Sequence, residues 1–192
     1  MEVKGKSIND LLNIDIKDFN ALSRSDLSKI VSRLGSAANK RIKTFEKYHI
    51  EPPALHNLRQ GGTHITSKGK NIEQLKAEYI RAKNFLKAKT STLKGYKQFR
   101  EDIKSKISKD GFSPSNEELD KAIEIVNALR DILPDESIGS PPKLIAMAIE
   151  EIRKGNKTFW EIVDDMKERL TEEYEGRKAR DKTGVSDFFE WD

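Results

Sequence analysis

The chain has 192 residues, 36 Lys+Arg against 32 Asp+Glu, no cysteine, and equal 35% shares of hydrophobic and charged residues. Without cysteine a disulfide framework and thiolate chemistry are excluded. The longest strongly apolar run, "LIAMAI" at 144–149, is far short of the roughly 18 residues that a membrane span requires, and with no signal-peptide core at the N-terminus the expectation is a soluble intracellular protein that meets no membrane.

The net charge of +4 conceals an asymmetry. Residues 1–108 carry 23 Lys+Arg against 11 Asp+Glu, a net +12, and residues 109–192 carry 13 against 21, a net −8. A basic half invites polyanions, whereas an acidic half solvates itself or offers a DNA-like potential to a basic protein.

In chain order, "SINDLLNIDIKDF" at 7–19 places Ser7 and Asp10 at capping-box spacing and predicts a short helix or turn. In "SRSDLSKIVSRLGSAANKRIKTFEK", Leu27, Ile30, Val31, Leu34, Ala37, Ala38, Ile42 and Phe45 recur at three- and four-residue steps, predicting a helix over about 25–47. Gly35, costly by about 1 kcal/mol inside a helix, marks close packing or a local break. "EPPALHNLRQGGTHITSKGK" at 51–70 reads as a loop. From Asn71, the spacing of Ile72, Leu75, Tyr79, Ala82, Leu86, Leu93, Tyr96, Ile103 and Ile107 predicts a long helix that bends at "TSTLKG", 90–95. The simplest arrangement of these two basic helices is an antiparallel hairpin.

"SKDGFSPS" at 108–115 combines Gly, Pro and Ser with the change of charge sign and is the predicted domain boundary. Ser115 and Glu118 form a second capping box ahead of a helix carrying Leu119, Ile123, Val126 and Leu129. After the stretch "LPDESIGSPPK", Pro142 suits a first helical turn, Leu144 to Ile152 supply an apolar stripe, and Gly155 ends it. Thr158 and Glu161 cap a last helix with Phe159, Ile162, Val163, Met166 and Leu170 facing inward. The fold class is all-α: a long basic helical hairpin over 1–108, a small acidic helical bundle over 109–176, and a C-terminal tail over 177–192 whose end, "DFFEWD", is acidic and aromatic.

Chemistry-bearing patterns are few. His49, His56 and His64 lie in one stretch without a carboxylate or thiolate at ligand spacing, so no metal site is expected. There is no P-loop, dinucleotide fingerprint or serine-hydrolase elbow. Between 68 and 106, 12 Lys+Arg stand against 4 acids, with Tyr79, Phe85, Tyr96 and Phe99 interleaved, a pattern that suits phosphate contacts and base stacking. The cations expected at a nucleic-acid surface are Arg33, Lys40, Arg41, Lys43, Lys68, Lys70, Arg81, Lys83, Lys87 and Lys94. Ser137 and Ser140, beside Asp135 and Glu136, have no neighbouring base to activate them as nucleophiles. Each is a turn former or a hydroxyl that another protein's catalyst acts on.

Three stretches resemble one family, the terminal proteins of tailed phages that replicate linear DNA by protein priming, of the Bacillus podophage type. "SRSDLSKIVSRLGSAANKRIKTFEK", with its Ala-Asn-Lys-Arg centre and aromatic-Glu-Lys end, is similar to the family's N-terminal to intermediate region. The helix from 71 resembles the intermediate helices, and "LPDESIGSPPKLIAMAIEEIRKGN" resembles the priming loop and the helix after it. The resemblance implies that a serine hydroxyl accepts the first nucleotide from a partner DNA polymerase. Ser137 would be that hydroxyl, with Ser140 the alternative and Tyr174 a distant third, and Asp135 and Glu136 would be loop acids fitting a channel built for DNA. The chain would then be a substrate and not an enzyme, with no cofactor of its own. Mg2+ would come from the polymerase, and the partners would be DNA and that polymerase, in the host cytoplasm during replication and then in the virion at the genome ends. This chain is shorter than the family's example and its serine follows "PDE", which leaves Ser137 and Ser140 both open. Read without the resemblance, the chain is a non-enzymatic nucleic-acid-binding helical protein or a virion scaffold.

Overall fold

The computed structural model describes residues 2–109 and 111–183. It is all-α, with no named strand among the described residues. Two compact units divide between Phe99 and Arg100, about ten residues before the stretch in which the charge changes sign. The charge contrast survives the shift. The first unit holds 20 Lys+Arg against 9 Asp+Glu, and the second 16 against 23.

In the first unit two short helices come first, α1 (Ile8–Leu12) and α2 (Ile16–Asn20), followed by α3 (Arg24–Lys47). Ser7 and Asp10 close the expected capping box on α1, and Ser23 caps α3. Of the stripe, Leu27, Ile30, Val31, Leu34, Ala38, Ile42 and Phe45 are buried and Ala37 is half-buried, which is the reason this polar sequence holds 24 residues of helix. The long helix predicted from 71 is two helices, α5 (Ile72–Lys87) and α6 (Leu93–Ile107), separated by a 3-10 turn at Lys89–Ser91 within the stretch where a break was expected. The 51–70 segment is not all loop, because Pro53 starts a helix, α4 (Pro53–Arg59), from its first turn.

That segment also decides how α3 and α5 run. Near their starts, Arg24 Nη2 donates to Lys70 O at 2.8 Å, and near their ends Arg41 Nη1 donates to Leu86 O at 3.1 Å and to Ser91 Oγ at 2.7 Å. The two helices are therefore parallel, where a hairpin would set them antiparallel. A helix of 24 residues is about 36 Å long, and the chain returns that distance before α5 begins. Ala54 N bonds Thr90 Oγ1 at one end of the return, Leu58 O accepts from Arg81 Nε, and Ile65 exchanges two backbone bonds with the Asn39 amide. Gly35 is where the return passes α3, since a Cβ there would meet Ile65 O at 2.9 Å. Close packing, not a helix break, is its role.

In the second unit, α7 (Asn116–Ile132) carries the Ser115–Glu118 capping box, α8 (Pro141–Lys154) ends at Gly155 with φ 72°, and α9 spans Phe159–Thr183. Leu119, Ile123, Val126 and Leu129 of α7 are buried, as are Leu144, Ile145, Ala148 and Ile149 of α8 and Ile162, Val163, Met166 and Leu170 of α9. The helix runs through Gly176, so residues 177–183 of the expected tail are helical. "DFFEWD" lies outside the described residues.

Arg153, near the end of α8, donates from Nε to Glu118 Oε2 at 2.6 Å at the start of α7, which makes α7 and α8 antiparallel. Arg153 and then the Ser115 backbone N–H hold the Glu118 carboxyl down at about 2, from an ordinary 4.5. A depressed carboxyl stabilises the fold fully above its unfolded value and loses that contribution as pH falls through its folded one. Glu118→Gln is therefore expected to lower the melting temperature by a few degrees at pH 6, and the gap to the wild type closes as pH falls from 4.5 toward 2. Melting curves at pH 6 and pH 3 check this.

Candidate functional site

Pro134 stops α7, because the residue before a proline is pushed out of the helical region, and Leu133 is extended at φ −116°, ψ 146°. A 3-10 turn, Asp135–Ser137, follows and packs on α9. The Pro134 carbonyl accepts both the Ser137 N–H at 2.9 Å and the Ser137 Oγ at 2.7 Å. Ser137 is 2% exposed. Its hydroxyl thus closes the turn inside the unit and is not presented to a partner, which speaks against Ser137 as the first choice for an accepting hydroxyl. Asp135 and Glu136 are exposed on the same turn.

Ser140 is the opposite case. It is exposed and occupies the N-cap position of α8, with an extended backbone at φ −62°, ψ 142°, and its carbonyl accepts from Leu144 N at 3.1 Å. A serine at this position ordinarily accepts from the N–H of the second or third helical residue. Here the first two helical residues are Pro141 and Pro142, the second of which has no N–H to offer, and the Ser140 side chain makes no capping bond. Gly139, before it, has nothing within 4 Å of where a Cβ would stand. The loop therefore sets one hydroxyl inside and leaves one outside. Tyr174 is half-buried on α9, with Lys178 Nζ 4.9 Å from its ring centroid.

The expected basic surface divides in the same way. Arg41 and Arg81 do not belong to it: Arg41 bonds Leu86 O and Ser91 Oγ, and Arg81 bonds Leu58 O, Gly62 O, His64 O and the Glu78 carboxylate. Burial holds the Arg41 guanidinium below its ordinary range. Both arginines tie the return segment and the 3-10 turn to the long helices. Arg33 donates to Val3 O at 3.4 Å and Lys87 Nζ to Asn13 Oδ1 at 2.8 Å, while Lys70 and Lys83 are half-buried. Lys40, Lys43, Lys68 and Lys94 are exposed.

Of the interleaved aromatics, Tyr79, Phe85 and Tyr96 are core and not a stacking platform, and Phe99 is half-buried with its ring 6.4 Å from that of Tyr96. Tyr79 donates its hydroxyl to Leu11 O at 2.7 Å, Tyr96 meets the edge of Phe45 at 6.2 Å, and Phe85 is buried with them. What remains of the polyanion signal lies along α3. Lys29, Ser32, Ser36, Lys40, Lys43 and Lys47 are exposed at three- and four-residue steps, so they share one outward stripe that carries no carboxylate. Lys29 was absent from the expected set, although this periodicity, offset from the apolar stripe, contains it.

Among the described residues no group of His, Asp or Glu is disposed to hold a metal ion, and no helix is long and apolar enough to cross a membrane. Compared with protein-family models, with curated proteins and with solved structures, the chain matches none of them.

Proposed function

We propose that this chain is a protein primer of DNA synthesis, a phage terminal protein whose Ser140 hydroxyl accepts the first nucleotide. The observation that carries the proposal is an exposed hydroxyl without a hydrogen-bond partner among the described residues, on a loop of an acidic unit, with the neighbouring serine committed to a buried bond. In the reaction Ser140 Oγ attacks the α-phosphate of a deoxynucleoside triphosphate. An Oγ–P bond forms, the bond to the β-phosphate's bridging oxygen breaks, pyrophosphate leaves, and the hydroxyl proton passes to the polymerase site or to water. Metal ions of the partner polymerase clamp the attacking and leaving oxygens, so the chain is a substrate in this reaction. Asp135 and Glu136 give the loop the charge of the DNA backbone for which such a channel is built. The setting would be the host cytoplasm during replication, with the product carried at genome ends into the virion.

Incubation with the DNA polymerase of the same genome, Mg2+ and labelled deoxynucleotides tests the proposal. A labelled band at the mass of the chain on a denaturing gel is expected, and its absence with each of the four nucleotides overturns the reading.

A second reading, a nucleic-acid-binding protein with an inert loop, is favoured by the α3 stripe. Each phosphate contact contributes about 0.9 to the log–log slope of affinity against salt on duplex DNA. The triple variant Lys40→Gln, Lys43→Gln and Lys47→Gln is expected to flatten that slope by between two and three, measured by fluorescence anisotropy at several salt concentrations. An unchanged slope removes α3 from the interface.

A further inference from the structure

The first turns of α3 form one wall of an open groove of about 880 Å3, whose other walls are the N-terminal residues 2–5 and Ser67. Ligand sites commonly enclose about 300–1,000 Å3, so the groove has room for a mononucleotide. Its position follows from the N-terminal turn. Val3 is buried, its carbonyl accepts from Lys6 N at 3.2 Å and from Arg33 Nη1 at 3.4 Å, and Gly5 takes a φ of +87°, which L side chains rarely adopt. The turn thereby brings Lys4 to the groove beside Lys29 and Arg33 of α3.

The chemistry of the lining is selective. Lys4, Lys29 and Arg33 form no ion pair with any described residue, although Glu2 and Asp26 line the same groove. The hydroxyls of Ser28, Ser32 and Ser67 make no hydrogen bond within the described residues. Cationic donors together with free serine hydroxyls are the side chains that contact phosphate oxygens in nucleic-acid complexes, and the lining leaves one positive charge in excess.

We propose that this groove is a phosphate-binding site, taking the phosphoryl group of a nucleotide or of a nucleic-acid strand. The site is separate from the serine loop and stands or falls independently of the priming reading. Asp26 and Glu2 repel the same oxyanion and keep the site weak, so the two signs of wall residue make opposite predictions.

The full chain is titrated with dATP, with deoxyadenosine and with a single-stranded 12-mer, and amide shifts of Ser28, Lys29, Ser32 and Ser67 are followed by NMR. The phosphate-bearing probes are expected to shift these amides and deoxyadenosine to leave them in place. Lys4→Gln combined with Lys29→Gln is expected to weaken binding roughly tenfold, and Asp26→Asn to tighten it. Neither Lys4 nor Lys29 makes a bond that the fold relies on, so a folded double variant is expected. If dATP competes with the 12-mer, the source is a mononucleotide, and if only the 12-mer shifts the amides, it is a strand. Equal shifts from deoxyadenosine, or a double variant that binds as the wild type does, overturn the proposal.

Discussion

Ser140→Ala is expected to reduce nucleotide attachment to background, while Ser137→Ala retains it. The two substitutions remove the same atom from serines three residues apart, and they differ in what that atom does in the fold. Ser140 Oγ has no hydrogen-bond partner among the described residues, so its removal is expected to leave the fold unchanged and to take away only the attacking oxygen. Ser137 Oγ donates to Pro134 O, but that carbonyl keeps the Ser137 N–H at 2.9 Å. The loss is then one buried hydrogen bond with no acceptor left orphaned, about 1 kcal/mol. Ser137→Ala should melt slightly earlier than the wild type and still form the adduct. The check is a parallel polymerase assay on both variants, each with its melting curve. An adduct that survives Ser140→Ala at the wild-type level would remove this hydroxyl from the reaction.

Gly95→Ala is expected to cost the first unit several kcal/mol, the largest loss of stability foreseen for any single methyl group here. A Cβ on Gly95 would stand 1.8 Å from Lys89 O, 2.8 Å from Lys89 C and 2.9 Å from Thr92 Oγ1. Two of these are backbone atoms, so no side-chain rotation relieves the overlap. Relief requires shifting the 3-10 turn, which carries Ser91, the acceptor for Arg41, or breaking the Gly95 N–H bond to Thr92 Oγ1 at 3.0 Å that caps α6. Alanine's better helix propensity returns only about 1 kcal/mol, and strain of this kind lies at the severe end of single substitutions, about 3–5 kcal/mol. Gly176→Ala supplies the contrast. Nothing lies within 4 Å of that position in α9, and there the same change should stabilise by up to about 1 kcal/mol. Denaturant titration of both variants against the wild type measures the two effects, and equal stability of Gly95→Ala would contradict the packing described.

What the sequence made legible was whatever depends on neighbours three or four residues away. The buried stripe of α3, the capping boxes at Ser7–Asp10 and Ser115–Glu118 and the left-handed Gly155 all follow from local spacing. What it hid depends on partners far along the chain. The parallel course of α3 and α5 is set by bonds such as Arg24 to Lys70 O and Arg41 to Leu86 O, 46 and 45 residues apart, and no short-range pattern encodes them. The helix α4 lay behind a proline pair that reads equally as a loop. In a count of charges Arg41 and Arg81 are indistinguishable from exposed cations, because most of their internal acceptors are backbone carbonyls that no sequence motif marks. The separation of Ser137 from Ser140 was latent in the prolines. Pro134 sets up the turn that takes in Ser137, and the pair Pro141–Pro142 opens a helix whose N-cap residue, Ser140, makes no side-chain capping bond.

The most direct test of the central claim is the position of the covalent nucleotide. After the polymerase reaction, trypsin cleavage at Arg130 and Lys143 releases residues 131–143, which contain both serines, and fragment ions distinguish them. This peptide is expected to gain one nucleoside monophosphate, with the added mass on Ser140. A nucleotide found on Ser137, on Tyr174 or on any other residue would contradict it.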